Sequence, residues 1–387
     1  MSLTLRLPRE GGRLTDYAPR GAAPAWARPS DPLRSRVAFA AAHVVKDPLG
    51  PDGGPESIDW EATLAFRRHL WSYGLGVAEA MDTAQRGMGL DHESTTVLIA
   101  RACAEARATG GAIVCGIATD QLPEGSEAPL ADIVGAYEAQ AEHVEASGGK
   151  AVIMASRHLA RSARGPEDYA FVYDRVLSQL SEPAIIHWLG EMFDPALAGY
   201  WGASDVRGAM DVCLDVITRN ASKVDGIKLS LLDAGHEVAL RARLPAGVRM
   251  YTGDDFNYPA LIKGEGDVHS DALLGIFDAI APAGSAALQA LDAGDVARFD
   301  AILAPTVPLS RHIFIRPTYH YKTGIVFLAY LNGFQDHFRM VAGLESARSI
   351  THLGELFVLA DEAGMLLDPE LAVERMRLVL RLAGLGA

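Results

Sequence analysis

The chain has 387 residues, 49% of them hydrophobic and 22% charged, an ordinary globular composition with ample material for a large core. A formal net charge of -14, with no cluster of Lys and Arg, argues against a nucleic-acid partner. Cys103, Cys115 and Cys213 lack CxxC spacing, no run nears the ~18 apolar residues of a membrane helix, and the N-terminus lacks an apolar signal core. A disulfide framework, a cysteine zinc site and a membrane span are therefore not expected, and a cytoplasmic location is.

Residues 1–34 are rich in Pro, Gly and Arg without periodicity, which predicts an arm over the body. Short apolar runs then alternate with longer helical patterns. The strands are read at "RVAFAAAHVV", "GLGVAEAM", "AIVCGIA", "AVIMAS", "PAIIHWL", "VDGIKLS", "VRMYTG" and "GDVHS". Between them lie helices such as "IDWEATLAFRRHLWSY", with an acidic first turn, and "DHESTTVLIARACAEARATG", with Asp91 as cap and Gly110 as stop. Eight strand–helix units predict an α/β fold, a (β/α)8 TIM barrel over residues 35–283. The absence of GxGxxG after any strand weakens a Rossmann alternative. Residues 284–387 are helical only, read as a C-terminal helical extension packed on the barrel. Within them the aromatic segment "RPTYHYKTGIVFLAYLNGFQDHF" reads as core or subunit contact, or as a lid in which His320, Tyr321 and Lys322 cover the barrel mouth.

In such barrels the chemistry sits where strands end, so the polar residues that close each apolar run are the site candidates. They are His43, Glu79 and Asp82, Thr119 and Asp120, Arg157 and His158, His187 and Glu191, Lys228 and Ser230, Asp254 and Asp255, and His269. Lys228 stands out because a parallel strand is buried on both faces, and an unpaired buried ammonium is costly. Either it reaches solvent or a counter-ion, or it is a desolvated amine of lowered pKa able to attack a carbonyl. His187 on the preceding strand is a core histidine or a general acid/base. Asp82 and Glu79 orient substrate hydroxyls or pair with Arg157 or Arg86. The "GDD" at residues 253–255 binds substrate or, for at least one of its acids, caps the next helix.

The order of these features resembles the dihydrodipicolinate synthase and N-acetylneuraminate lyase superfamily of Schiff-base aldolases over residues 36–314. The strongest elements are "VDGIKLS" and "MYTGDD", similar to that superfamily's G-[IV]-K-[DE]-[ST] strand and its "SGDD"-like turn. The resemblance implies that Lys228 forms the Schiff base. It also marks departures. Where those proteins have G-T-T-G-E to hold an α-keto-acid carboxylate, residues 81–85 are "MDTAQ": Thr83 is kept and Asp82 replaces the first threonine. His187, in "IIHWLG", stands in place of the catalytic tyrosine, and "SRHLA", with Arg157 and His158, replaces a tyrosine-rich turn. The chain resembles a divergent branch of unknown function within that superfamily.

These residues together point to a lyase with catalytic Lys228 and His187, acting on a carbohydrate-derived carbonyl compound rather than pyruvate. Asp82, Thr83, Glu79, Arg157, His158, Asp254 and His43 are the expected substrate contacts. No cofactor or metal is required, and a homo-oligomer, dimer or tetramer, is expected. Two alternatives stay open. One is a divalent-metal isomerase, epimerase or aldolase using Glu79, Asp82, His187, Glu191, Asp254 and His269. The other is a non-catalytic sugar-binding barrel.

Overall fold

The computed structural model describes residues 3–21 and 23–385. Two strands precede the barrel, β1 (Leu5–Arg9) and β2 (Arg13–Tyr17), paired as an antiparallel hairpin whose turn places Gly11 and Gly12 at positive φ. Leu5 and Leu7 alternate inward, and the hairpin lies against the helix Ile350–Glu362. The segment read as an aperiodic arm thus contains a strand pair. Its alternation covers too few residues to stand out in a region rich in Gly and Pro.

Eight parallel strands then close a barrel: β3 (Ala38–Ala41), β4 (Gly76–Glu79), β5 (Ile113–Ile117), β6 (Lys150–Met154), β7 (Ala184–Leu189), β8 (Val224–Ser230), β9 (Arg249–Thr252) and β10 (Asp271–Leu274). β10 pairs with both β9 and β3, so no edge is left open. This is the TIM barrel expected from the alternation. Phe39, Val114, Val152, Ile185, Tyr251 and Leu273 pack in its interior, and alternate residues such as Val77, Ile186, Ile227 and Leu229 face the helices. The helices begin and end where the sequence marks them. Asp59 and Asp91 accept the backbone N–H groups of Ala62 (3.0 Å) and Ser94 (2.7 Å), and Gly110 closes the second helix in the left-handed conformation.

One strand is displaced from its expected place. "GDVHS" forms a turn, with Glu265 bridged to Val268 and Gly264 and Gly266 at positive φ, and β10 is the buried "DALL" that follows. His269 consequently precedes β10 and sits at the end of the barrel opposite the mouth.

After the barrel come the helices Ala281–Asp292, Val296–Leu303, Thr306–Ile313, Tyr321–Leu331, Ile350–Glu362 and Pro369–Leu382. Every residue of Tyr321–Leu331 is buried, as expected of a helix that is apolar nearly all round. No helix among the described residues is long and apolar enough to cross a membrane.

Candidate active site

Strand alternation places Lys228 inside the barrel. Its neighbours Ile227 and Leu229 belong to the outer core, so Gly226, Lys228 and Ser230 face the interior. Gly226 lacks a side chain where the Tyr251 ring lies, 2.7 Å from the position a Cβ would occupy, and Tyr251 is anchored by donating to Asp225 Oδ2 at 2.6 Å. Gly253 leaves room for the lysine stem, since a Cβ there would stand 2.9 Å from Lys228 Cε. The residue is 7% exposed, and its amine makes no hydrogen bond with the described residues and no ion pair with them within 4.0 Å. Burial pushes the amine below its ordinary pKa, and the Asp82 and Asp255 carboxylates oppose that shift.

His187 stands directly across the β7–β8 ladder from Lys228. Its Nε2 lies 3.2 Å from Ser230 Oγ, and its Nδ1 is buried without a partner. Burial, aided by the neighbouring ammonium, drives its pKa well below 6.5, so the ring is uncharged at neutral pH. Asp255 accepts the Ile276 N–H at 2.8 Å and is pushed up to about 7 by burial, against that hydrogen bond and Lys228. Asp254 serves its own turn: Oδ1 accepts from the backbone N–H groups of Phe256 (2.8 Å) and Asn257 (3.0 Å), and Oδ2 from the Asn257 amide. Asp254 thus closes the turn before the helix Tyr258–Lys263, whose N-cap is Asn257, and does not cap the helix itself.

The mouth above Lys228 is built from two distant pieces of chain. The 3-10 turn Asp82–Ala84 follows β4, and Thr83 Oγ1 meets Tyr321 Oη at 2.8 Å, both buried. Tyr321 stacks on Phe314 (centroids 4.4 Å apart) and meets Phe193 edge-on. Burial, with Asp82 and Asp255 adding, raises its phenol well above the ordinary value, so it keeps its proton. Thr83→Val should cost about 1–3 kcal/mol in denaturant unfolding, because it leaves the phenol buried and unsatisfied. A loss clearly below about 1 kcal/mol would show that Tyr321 has found another acceptor.

Lys322 follows Tyr321 and is 3% exposed. Its Nζ donates to Met88 Sδ (3.0 Å) and the Tyr319 carbonyl (3.3 Å) and lies 4.8 Å from the Tyr321 ring centroid, with no carboxylate within 4.0 Å. Burial lowers it to about 8, with Asp82 and Asp194 opposing and Arg157 adding. Between pH 8 and its ordinary value of 10.5 the unfolded chain holds a proton that the folded chain has lost. Stability should therefore rise with pH in that window by about 3 kcal/mol relative to Lys322→Met, measured by denaturant unfolding at stepped pH.

A cavity of about 710 Å³ opens beside these groups, lined among others by Asp82, Thr119, Arg157, His158, His187 and Asp194. Lys228 does not line it but stands next to His187, which does. Arg157 is held by Asp194 at 2.5 Å and Arg86 by Asp120 at 2.6 Å. His158 donates from Nε2 to the Pro123 carbonyl (3.1 Å) and uses Nδ1 on Thr119 Oγ1 (2.9 Å), which also meets Ser156 Oγ at 2.7 Å. With these charges paired, the wall offers hydroxyl and imidazole edges suited to hydroxyl groups.

Several expected site residues lie elsewhere. Glu79 faces outward on the same side of β4 as Val77, and both its oxygens accept from Arg67 at 2.9 Å, so neither Arg86 nor Arg157 is its partner. His43 is held by Asp278 at 2.8 Å and packs on Phe66, centroids 4.4 Å apart, between strand and helix. Glu191 is exposed, and His269 is at the other end. The six-residue metal set is thereby dispersed, and no group of three or more His, Cys, Asp or Glu among the described residues could hold a metal ion.

No functionally curated protein matches the chain in sequence. Solved structures share its fold. The 4-hydroxy-tetrahydrodipicolinate synthase of Methylacidiphilum fumariolicum SolV is 14% identical, with a TM-score of 0.66 over 88% of this chain and 99% of that one. The dihydrodipicolinate synthase of Aquifex aeolicus is 13% identical, with a TM-score of 0.65 over 86% and 99%. That of Oceanobacillus iheyensis is 15% identical, with a TM-score of 0.57 over 76% and 85%. The model of the family described as "Protein of unknown function (DUF993)" matches residues 5–385, and the chain, on its dihydrodipicolinate synthase-like barrel, belongs to that family.

Proposed function

We propose that this protein is a Schiff-base-forming lyase of the aldolase kind, acting on a carbohydrate-derived carbonyl compound rather than on pyruvate. The observation that carries this reading is Lys228, an amine inside the barrel without a counter-ion within 4.0 Å and with its pKa lowered by burial. A desolvated lysine spends more time neutral, and its lone pair can attack a carbonyl carbon. Loss of water from the carbinolamine then gives an iminium, which draws electrons from the adjacent bond. In this reading His187, uncharged and directly across the ladder from Lys228, hydrogen-bonds the carbinolamine oxygen.

Asp82 supports the choice of substrate. Its carboxylate, where the resembling aldolases carry a threonine, repels a substrate carboxylate and accepts hydrogen bonds from hydroxyls. Thr119, Ser156 and His158 continue that hydroxyl-binding wall. Borohydride treatment with a panel of unphosphorylated keto sugars, and with pyruvate, tests the reading by intact-protein mass. Adducts with keto sugars and none with pyruvate are expected; adducts with pyruvate alone would overturn the substrate class, and none at all the mechanism.

A further inference from the structure

The proposed reaction needs a group to move the proton on carbon, and the histidine across from Lys228 is a poor one. His187 is fully buried, and both burial and Lys228 disfavour its protonated form, so it is a weak base. Tyr321 is a phenol that burial keeps protonated. A second buried amine stands behind the wall of the same cavity. The chain has six lysines, Lys46, Lys150, Lys223, Lys228, Lys263 and Lys322, and only Lys228 and Lys322 are buried. The Asp82 carboxylate is the first charge opposing the lowered pKa of each. Lys322 stands behind Met88 on the cavity wall, held by a thioether and a carbonyl, neither of which takes its charge.

We propose that Lys322 is the base that removes, and the acid that returns, the proton on the carbon next to the Lys228-bound carbonyl carbon. This inference rests on the Schiff-base reading above. Once Lys228 has formed the iminium and water has left, neutral Lys322 takes a proton from the adjacent carbon. The C–H pair becomes the enamine double bond, the iminium π pair moves to Lys228 nitrogen, and Lys322 becomes an ammonium. In the reverse step the enamine carbon takes that proton back and the iminium reforms, so no oxidant, reductant or co-reactant is needed. In an elimination the enamine instead expels a hydroxyl at the next carbon, which leaves as water with the Lys322 proton. Asp82, whose charge acts on both amines, would stabilise whichever is charged. The other charged and titratable groups facing Lys322 are Asp194, Arg157, His320 and Tyr321. With its pKa at about 8, Lys322 is close to the balance a base and its conjugate acid both require near neutral pH.

The test uses the full chain and dihydroxyacetone, an uncharged hydroxylated ketone, as probe. Proton NMR in heavy water reads exchange of its carbon-bound protons, and borohydride trapping reads the Schiff base. For the wild type, exchange with a rise through pH 8 and a trapped adduct are expected. Lys322→Met should keep the adduct and lose exchange by roughly 10²-fold or more, together with that pH rise. Lys322→Arg, which keeps the charge but cannot act as a base, should fail equally. Exchange retained in either variant would overturn the proposal, as would loss of the adduct in a folded Lys322→Met protein, which would make Lys322 a support for Lys228. An adduct without exchange in the wild type also overturns it while leaving the Schiff base standing; no adduct in the wild type removes both.

Discussion

Lys228→Met is expected to abolish borohydride adducts with every carbonyl compound and to lower turnover by at least about 10³-fold, the scale on which loss of a covalent nucleophile acts. The same substitution should leave the protein as stable as the wild type or more stable. Methionine matches the lysine stem in volume, packs against Tyr251 and fits the space left by Gly253. It also removes a buried amine that no hydrogen bond or ion pair within 4.0 Å compensates. The combination separates chemistry from architecture: a purely structural lysine would show the opposite, a loss of stability with activity falling only in proportion to folded protein. Melting temperature and turnover measured on one preparation check both halves.

The second large effect concerns the barrel wall. Arg67 and Glu79 are both fully buried and joined by two hydrogen bonds of 2.9 Å, and the guanidinium also reaches the carbonyls of His43 and Thr63. Arg67→Met leaves the Glu79 carboxylate uncompensated in the wall and should cost about 3–5 kcal/mol in denaturant unfolding. Adding Glu79→Leu should return most of that loss, because removing both charges avoids the desolvation that one alone suffers. The Ala80 N–H, which donates to Glu79 Oε1 at 2.8 Å, sets a limit to the recovery. If the single variant were as stable as the wild type, Glu79 would have to be protonated or solvated, and its place outside the cavity would need revision.

How far this was legible in the sequence depended on how local each signal was. Alternation of apolar runs with capped helices fixes a closed parallel barrel, and Lys228 is conspicuous because one cation interrupts the apolar part of a buried strand. The strand-end rule fails for Glu79 because it ignores the pleat. Leu75 and Val77 turn toward the helices, and Glu79 shares their face, a period-2 pattern that "GLGVAEA" does contain. His43 lies beyond the last residue of β3 and packs between strand and helix. The eighth strand reads one segment early because its four residues carry almost no period. Tyr321 and Lys322 reach the mouth from a helix outside the eight repeats. Their one signal was polar: a tyrosine and a lysine opening the otherwise apolar "YKTGIVFLAYL".

Peptide mapping of the borohydride-trapped protein tests the central claim most directly, since it reads which of the six lysines carries the ligand. After trapping with a keto sugar that gives an intact-mass adduct, the added mass should lie on the peptide containing Lys228 and be absent from Lys228→Met. Adduct on Lys322 or on an exposed lysine, with Lys228 unmodified, would contradict the assignment of Lys228 as the nucleophile.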